Sequence, residues 1–537
     1  MAAPHEKLAD SLAILSELQK GGRRVFVSKD LTRVHRERLV RNGFLQEVMK
    51  GWLISAAPGV RAGDSTPWYA SFWEFCACYC QDRFGDYWHL SPDQSLLLHA
   101  ENSVIPAQVI IYTPKGTNNS VKLLFGTSLY DLKQPNMLPA VDLVLRDALR
   151  LYSPGAALVK VTEGFFTRYP IEAQVALKSV ADPSDVLRRL LEGGHSVVAG
   201  RLAGAFRHIG RGDTADEISA AMKAAGYSVH ETNPFAEQQV SVERRLTTAP
   251  PIVLRVQALW QKMRAPVIAV FPKAPGVPRN PNAYLKLVDE IYKSDAYHSL
   301  SIEGYSVTPE LIDRVRSGAW NPDNHSADRE SRDALAARGY WQAFQAVKAA
   351  VKEILTGASP GALARTAHRE WYRELFQPCV AAGILKPSAL AGYRNDAVYL
   401  RTSRYVPPRW EAVRDAIPTL FELLEQESEP SVRAVLGHWL FGYIHPYPDG
   451  NGRMARFLMN AMLASGGFPW SVIRVEDRDD YLAALDRASI DGDIGPFAVF
   501  IAARVKASIK HQTKLTRPLS VETIVQNRKR PTDQRRR

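Results

Sequence analysis

Apolar residues recur at helical spacing through most of the C-terminal half of the chain, and at strand spacing mainly in its first third. Val432, Val435, Leu436, Trp439, Leu440 and Tyr443 keep the i, i+3, i+4 steps of a half-buried helix, which Pro446 discourages from running past His445. Arg453 opens a second helix, with Met454, Phe457, Leu458 and Leu463 on its core side and Gly466-Gly467 as its stop. The residues between are therefore a loop pinned between two buried helices. At the other end of the chain, Leu8, Leu12, Ile14 and Leu15 stripe a first helix, and Ser28 reads as the N-cap of a second. QEVMKGWLIS, with Gly51 at its middle, reads as a β-wing. AQVIIYTP and VKLLFGTSLYDL have strand composition, and AVDLVLRDALRLY, SDVLRRLLEGG and TADEISAAMKAAG are helical. The pattern predicts a multidomain chain with a small basic module at 1–57, an α/β region at 60–246 and a linker region at 247–283. A helical domain at 284–508 and a basic tail at 509–537 complete it.

With 537 residues, 46% apolar and 23% charged, the chain has length and composition for several cores. No apolar run approaches the ~18 residues of a membrane span, and Met1 to Lys20 lacks a signal peptide's apolar stretch. No membrane partner is expected. Four cysteines, three of them at Cys76, Cys78 and Cys80, are too few for a disulfide framework and predict a reducing cytoplasm. Without a paired CxxC, that cluster reads as small buried residues in an aromatic segment rather than a metal site.

The net charge of +12 changes meaning once located. Lys506 to Arg537 holds ten Lys or Arg against two acids, +8, leaving +4 for the remaining 505 residues. That tail has no apolar periodicity and reads as disordered, either simply solvated or a nonspecific phosphate binder. Residues 1–57 carry ten Lys or Arg against six acids, with Lys29, Arg33, Arg36, Arg38 and Arg41 crowded in one helical region. A basic helix beside a β-wing resembles the winged-helix module of abortive-infection-type antitoxins, which implies duplex DNA as a partner, read by a helix in the major groove.

The stretch Ile444 to Asn460, IHPYPDGNGRMARFLMN, carries the chemistry. Gly450, Asn451 and Gly452 permit close backbone approach, and their N–H groups at a helix N-terminus can surround phosphate oxygens. Arg453 and Arg456 lie three apart on one helical face and add two guanidinium forks. Asp449 is an oxygen ligand suited to Mg²⁺ bridging phosphates, and His445 has the pKa of a general base near neutrality. HPYPDGNGRMAR matches HPFx(D/E)GNGRxxR, the signature of the Fic family (filamentation induced by cyclic AMP), except for Tyr447 in place of the usual phenylalanine.

The resemblance implies an all-α Fic domain with a β-hairpin flap and a protein adenylyltransferase that moves AMP from ATP to a Ser, Thr or Tyr hydroxyl of a target protein. His445 would be the base, Asp449 the Mg²⁺ ligand, and Gly450 to Gly452 with the Asn451 side chain the anion cradle. The segment Tyr393 to Val406 would be the flap, docking the target through Tyr393, Val398, Tyr399 and Leu400. Upstream, Ser299-Leu-Ser-Ile-Glu303-Gly304 resembles the family's inhibitory motif (S/T)xxxE(G/N), so that Glu303 would pair with Arg456 where the γ-phosphate belongs. His438 reads as structural. Removal of AMP, transfer of UMP or phosphate, and a DNA-binding regulator that senses nucleotide are the competing readings. A homodimer is compatible with all of them.

Overall fold

The computed structural model describes residues 4–59, 63–235, 249–318 and 332–516, which divide into two compact units. The first holds residues 1–262 with 394–419, and the second residues 263–393 with 420–537.

In the first unit, α1 (Pro4–Leu18), β1 (Val25–Val27), α2 (Arg33–Arg41), β2 (Leu45–Met49) and β3 (Trp52–Ser55) make the small N-terminal module. Its sheet has the order β1-β3-β2 with every pair antiparallel, and Gly51, at φ 90°, turns the β2–β3 hairpin. Leu15, Phe26, Leu31, Leu39, Leu45 and Leu53 form its core. The opposite sheet face is not exposed: Val25, Trp52 and Ile54 pack with α3 (Thr66–Phe84), where Trp52 meets Phe75 and Tyr79 edge-on at 5.5 and 5.9 Å. Cut at residue 57, the module would expose that face to water.

The N-cap of α2 is Thr32, whose hydroxyl accepts from the His35 N–H; Ser28, expected as the cap, opens a separate 3₁₀ turn. Cys76 and Cys80 are fully buried on α3, and burial pushes both thiols well above their usual pKa. A mixed sheet follows in the order β4-β5-β7-β6, with strands His89–Leu90, Gln108–Thr113, Ser120–Lys122 and Ser128–Lys133 and β5 parallel to β7. The stretch AVDLVLRDALRLY, expected to be helical, is instead a hairpin of β8 (Leu143–Arg146) and β9 (Leu149–Tyr152), whose alternating apolar residues pair across strands, and it leads into a helical layer between Pro154 and Ala224. Within that layer Gly200 and Gly204 lie against backbone: a Cβ would come within 1.9 Å of the His230 carbonyl oxygen and 2.1 Å of that of Thr232. These glycines let the helix Ser196–His208 lie close against the irregular segment at 230–232.

The expected linker at 247–283 contains a 20-residue helix, Pro251–Val270, within which the two units divide. Ile252, Leu254, Val256 and Leu259 are buried, an apolar stripe that the flanking prolines hide in the sequence.

The second unit is helical. We number its helices α4 (Pro281–Ile302), α5 (Arg332–Leu355), α6 (Pro360–Ala381), α7 (Pro430–Ile444), α8 (Asn451–Ala464) and α9 (Gly495–Thr516). α7 and α8 are buried along nearly their whole length. α4 lies on α5, where Tyr292 meets Trp341 and Phe344 and the Tyr340 hydroxyl donates to Asp295 at 2.7 Å. Gly339 on α5 allows α6 to approach, since a Cβ there would meet the Leu375 carbonyl at 2.0 Å. The basic tail expected from 509 begins inside α9, and its remainder from 517 lies outside the described residues.

The hairpin expected over Tyr393 to Val406 does not form: the segment is turn and irregular backbone, with Thr402 at φ 62°. Two of its carbonyls are bonded within the first unit instead. Arg404 O accepts from Ile105 N–H at 2.8 Å, and Val406 O accepts from the Ser103 hydroxyl. Strand content at such a segment depends on what it pairs with, which composition does not reveal.

Candidate active site

The site in the second unit is built from the turn between α7 and α8. α7 ends because His445 takes a left-handed conformation (φ 52°, ψ 60°), uncommon outside glycine and tolerated by histidine better than by most residues. Its Nδ1 lies 3.2 Å from the Gly442 carbonyl oxygen. A carbonyl only accepts, so the proton sits on Nδ1 and the basic lone pair on Nε2.

The following loop is locked from inside. The Tyr447 ring is fully buried and stacks on Tyr372 at 3.7 Å, nearly parallel. Asn451 Oδ1 accepts from Tyr447 N–H at 2.9 Å while its Nδ2 donates to Tyr447 O at 2.7 Å. The Asn451 side chain, expected to face the anion, is instead spent on holding the loop. Gly450, at φ 80°, lies against Phe376, whose ring a Cβ would meet at 2.8 Å. Asp449 accepts from Gly450 N–H at 2.6 Å and lies 3.3 Å from Arg453, with its side chain 60% exposed.

Two arginines lie beneath this loop, both nearly fully buried. Arg456 donates from Nε to the Ser299 hydroxyl at 2.8 Å, and from Nη2 to Ser299 O at 3.0 Å and Glu303 Oε1 at 2.6 Å. The same Oε1 hangs over the first turn of α8, where a Cβ on Gly452 would meet it at 2.3 Å. Glu303 thus places a carboxylate at a glycine-lined helix N-terminus backed by a guanidinium, a setting that favours an anion. Desolvation works to raise its carboxyl pKa, but Arg456 first and then Arg453 hold it below the usual range.

Gly304, at φ 86°, ends α4 by letting the chain reverse. Its N–H bonds Ser301 O at 3.0 Å and that of Tyr305 bonds Leu300 O at 3.1 Å, which explains a glycine directly after the glutamate. His438 is buried under the site with Nε2 2.8 Å from the Tyr481 hydroxyl, and burial pushes it down to about 3, so it is a neutral structural group at physiological pH.

Residues 362–463 match the model of the Fic/DOC family. This stretch of the chain is a Fic domain. Over 131 residues the chain is 40% identical to the protein adenylyltransferase Fic of Nematostella vectensis, covering 24% of this chain and 30% of that protein. It is 34% identical over 132 residues to protein adenylyltransferase fic-1 of Caenorhabditis elegans, covering 24% and 25%. The matches thus span under a third of either relative. Among solved structures, Fic-1 of C. elegans aligns with a TM-score of 0.37 at 18% identity, over 65% of this chain and 98% of that one.

Of the residues anticipated from sequence, the Fic domain and α4 bring together His445, Asp449, Gly450, Gly452, Arg453, Arg456, Ser299 and Glu303. Tyr393 also belongs to the second unit, with its hydroxyl 2.8 Å from His368 Nε2 and its ring 5.5 Å from Tyr447. Val398, Tyr399 and Leu400 belong to the first unit, where the Tyr399 hydroxyl accepts from Arg24 at 3.1 Å.

The basic residues of the N-terminal module are not all free. Arg38 donates to Lys7 O and to the Ser11 hydroxyl, and half-buried Arg36 reaches Ser28 O at 3.4 Å. Arg33 is exposed and pairs with Glu37 at 2.7 Å, Lys29 is exposed beside Asp82, and Arg41 is exposed. Tyr305 and Phe376, which flank Arg453, are part of the site and escaped the sequence reading. Tyr305 did have one available signal, its position directly after Glu303-Gly304.

Proposed function

We propose that the chain is a self-inhibited protein adenylyltransferase. The observation that carries this reading is the Glu303 carboxylate between Gly452 and Arg456: an anion site filled by the chain's own anion, beside a histidine with its base nitrogen defined. With nucleotide in that site, His445 Nε2 takes the proton of a target hydroxyl. The hydroxyl oxygen bonds to the α-phosphorus, the bond to the bridging oxygen breaks, and pyrophosphate leaves. The N–H groups of the first turn of α8 and Arg453 offset phosphate charge.

Among the described residues no cluster of three His, Cys, Asp or Glu could hold a metal. Mg²⁺ typically needs only one or two carboxylates when phosphates supply other ligands, so exposed Asp449 fits an ion that arrives with the nucleotide. There it would neutralise phosphate charge. Asp449→Ala is accordingly expected to lose on the order of 10²-fold in magnesium-dependent transfer. Initial rates across a magnesium titration check this; metal-independent activity insensitive to Asp449 would count against the reading.

The deciding experiment incubates the protein and its Glu303→Gly variant with ATP labelled at the α- or the γ-position, followed by mass spectrometry. Label from the α-position with an added AMP mass supports the reading. Label from the γ-position indicates phosphate transfer, and no label from either overturns both.

The N-terminal module carries the second half of the proposal, duplex DNA binding in the manner of autoregulated toxin–antitoxin proteins. Since its sheet shares a core with α3, the full chain is the species to test. Charge reversal at exposed Arg33 and Arg41 should abolish a gel shift of genomic fragments at low salt. Arg36 and Arg38 are poorer choices because they hold the module together. Deleting the basic residues after 516 should mainly flatten the salt dependence. Absence of any shift at low salt would leave the module as a protein contact.

A further inference from the structure

Arg453 is 1% exposed, yet its polar contacts are sparse: one ion pair to Asp449 at 3.3 Å, and an Nε without a hydrogen-bond partner among the described residues. A buried guanidinium held so loosely by polar groups needs another restraint. Aromatic faces supply it. Arg453 Cζ lies 5.2 Å from the ring centroid of Phe376 on α6 and 5.2 Å from that of Tyr305. The Tyr305 ring also carries Arg332 from the start of α5, again at 5.2 Å. Tyr305 is thus approached by two guanidiniums, Arg332 and Arg453, and Arg453 by two rings, Tyr305 and Phe376. Tyr305 is rigidly referred to Glu303, because the Gly304 turn and the Tyr305 N–H to Leu300 O bond fix their separation.

We propose that Tyr305 is a positioning residue for Arg453, so that one short segment governs both arginines of the loop in opposite senses. Through Glu303 it withholds Arg456 from phosphate; through the Tyr305 ring it keeps Arg453 ready for phosphate. This rests on the nucleotide-transfer reading above. Removing the Glu303 carboxylate alone therefore differs from displacing the segment: the first opens the site with Arg453 still in place, and the second frees Arg453 as well.

The test uses the full chain carrying Glu303→Gly, with Tyr305→Phe and Tyr305→Leu added separately. Phenylalanine keeps the π face and leucine keeps only apolar bulk. A lost face weakens binding in ground and transition states alike, so Tyr305→Leu should raise the KM for ATP and its calorimetric Kd at least ~5-fold with kcat within twofold, while Tyr305→Phe restores the parent values. A second readout is independent of nucleotide. The Arg453 Nε–Hε resonance, identified by its loss in Arg453→Lys, should move in Tyr305→Leu and stay in Tyr305→Phe as the ring current is removed or kept. Should the leucine variant not fold, Phe376→Leu removes the other ring beside Arg453 and should give the same rise in KM without change in kcat. Equal KM in the leucine and phenylalanine variants overturns the proposal, whether or not the resonance moves. Failure of the Glu303→Gly parent to bind ATP, whatever stands at 305, overturns the transferase reading and this inference with it.

Discussion

Replacing His445 by alanine is expected to lower transfer ~10²–10⁴-fold, the usual cost of removing a general base, with ATP affinity nearly unchanged. Affinity should survive because, on the proposed reading, the groups that would hold phosphate are the first turn of α8, Arg453 and Arg456 rather than the imidazole. The imidazole Nδ1 lies 3.2 Å from Gly442 O, a contact that fixes its tautomer. His445 also sits at φ 52°, so alanine there adds strain that could blur the result. His445→Asn is the cleaner partner variant, since asparagine tolerates that conformation but supplies no base near neutrality. Transfer rates and calorimetric Kd for both variants, measured in the Glu303→Gly background, make the check. Unchanged rates in either would remove His445 from the base role.

Glu303→Gly should raise transfer 10-fold or more if the inhibited state is favoured by at least ~1.4 kcal/mol. Glu303 Oε1 takes Arg456 Nη2 at 2.6 Å, while Nη1 has no hydrogen-bond partner among the described residues, so the carboxylate competes for a guanidinium that a phosphate would otherwise engage. The carboxylate is tethered by a helix whose other contacts, Ser299 to Arg456 and Asp295 to Tyr340, remain in the variant, so it competes at high effective concentration. It also fills the space above Gly452 that the proposed phosphate would need. A glycine at the end of α4 costs about 1 kcal/mol of local helix stability, too little to unfold the unit. Automodification under matched ATP and magnesium is the measurement. Equal rates in parent and variant would make Glu303 a bystander. Expression of Glu303→Gly should be toxic, and the added His445→Ala should remove the toxicity.

The parts of this site that a linear sequence carries are those made by contiguous residues. HPYPDGNGRMAR is short, bounded by two periodic apolar helices, and its glycines and charges have few other joint explanations. Glu303 was legible 153 residues away from Arg456 because it belongs to a local motif of its own. The pair of rings beside Arg453 was not legible, since a tyrosine after a helix and a phenylalanine inside another acquire meaning only when the fold brings them to one guanidinium. Asn451 was assigned to the ligand because its neighbours face that way, whereas its amide matches the backbone of Tyr447 in both directions. In the N-terminal module, counting arginines on α2 overstated a basic face, because Arg38 turns to α1 and the sheet's second face is covered by α3. The missing hairpin at 393–406 follows the same rule: edge backbone takes whatever partners the fold offers.

The order of these parts along the chain has a consequence for synthesis. Glu303 is made 142 residues before His445, and α5, the helix on which α4 docks, is complete about 90 residues before it. On the self-inhibited reading proposed above, at ~5–20 residues per second the ribosome would deliver the blocking carboxylate roughly 7 to 30 seconds ahead of the base it would guard. On that reading a partial product that ends between them would carry the inhibitory residue without the base, and no product extended to His445 would lack Glu303.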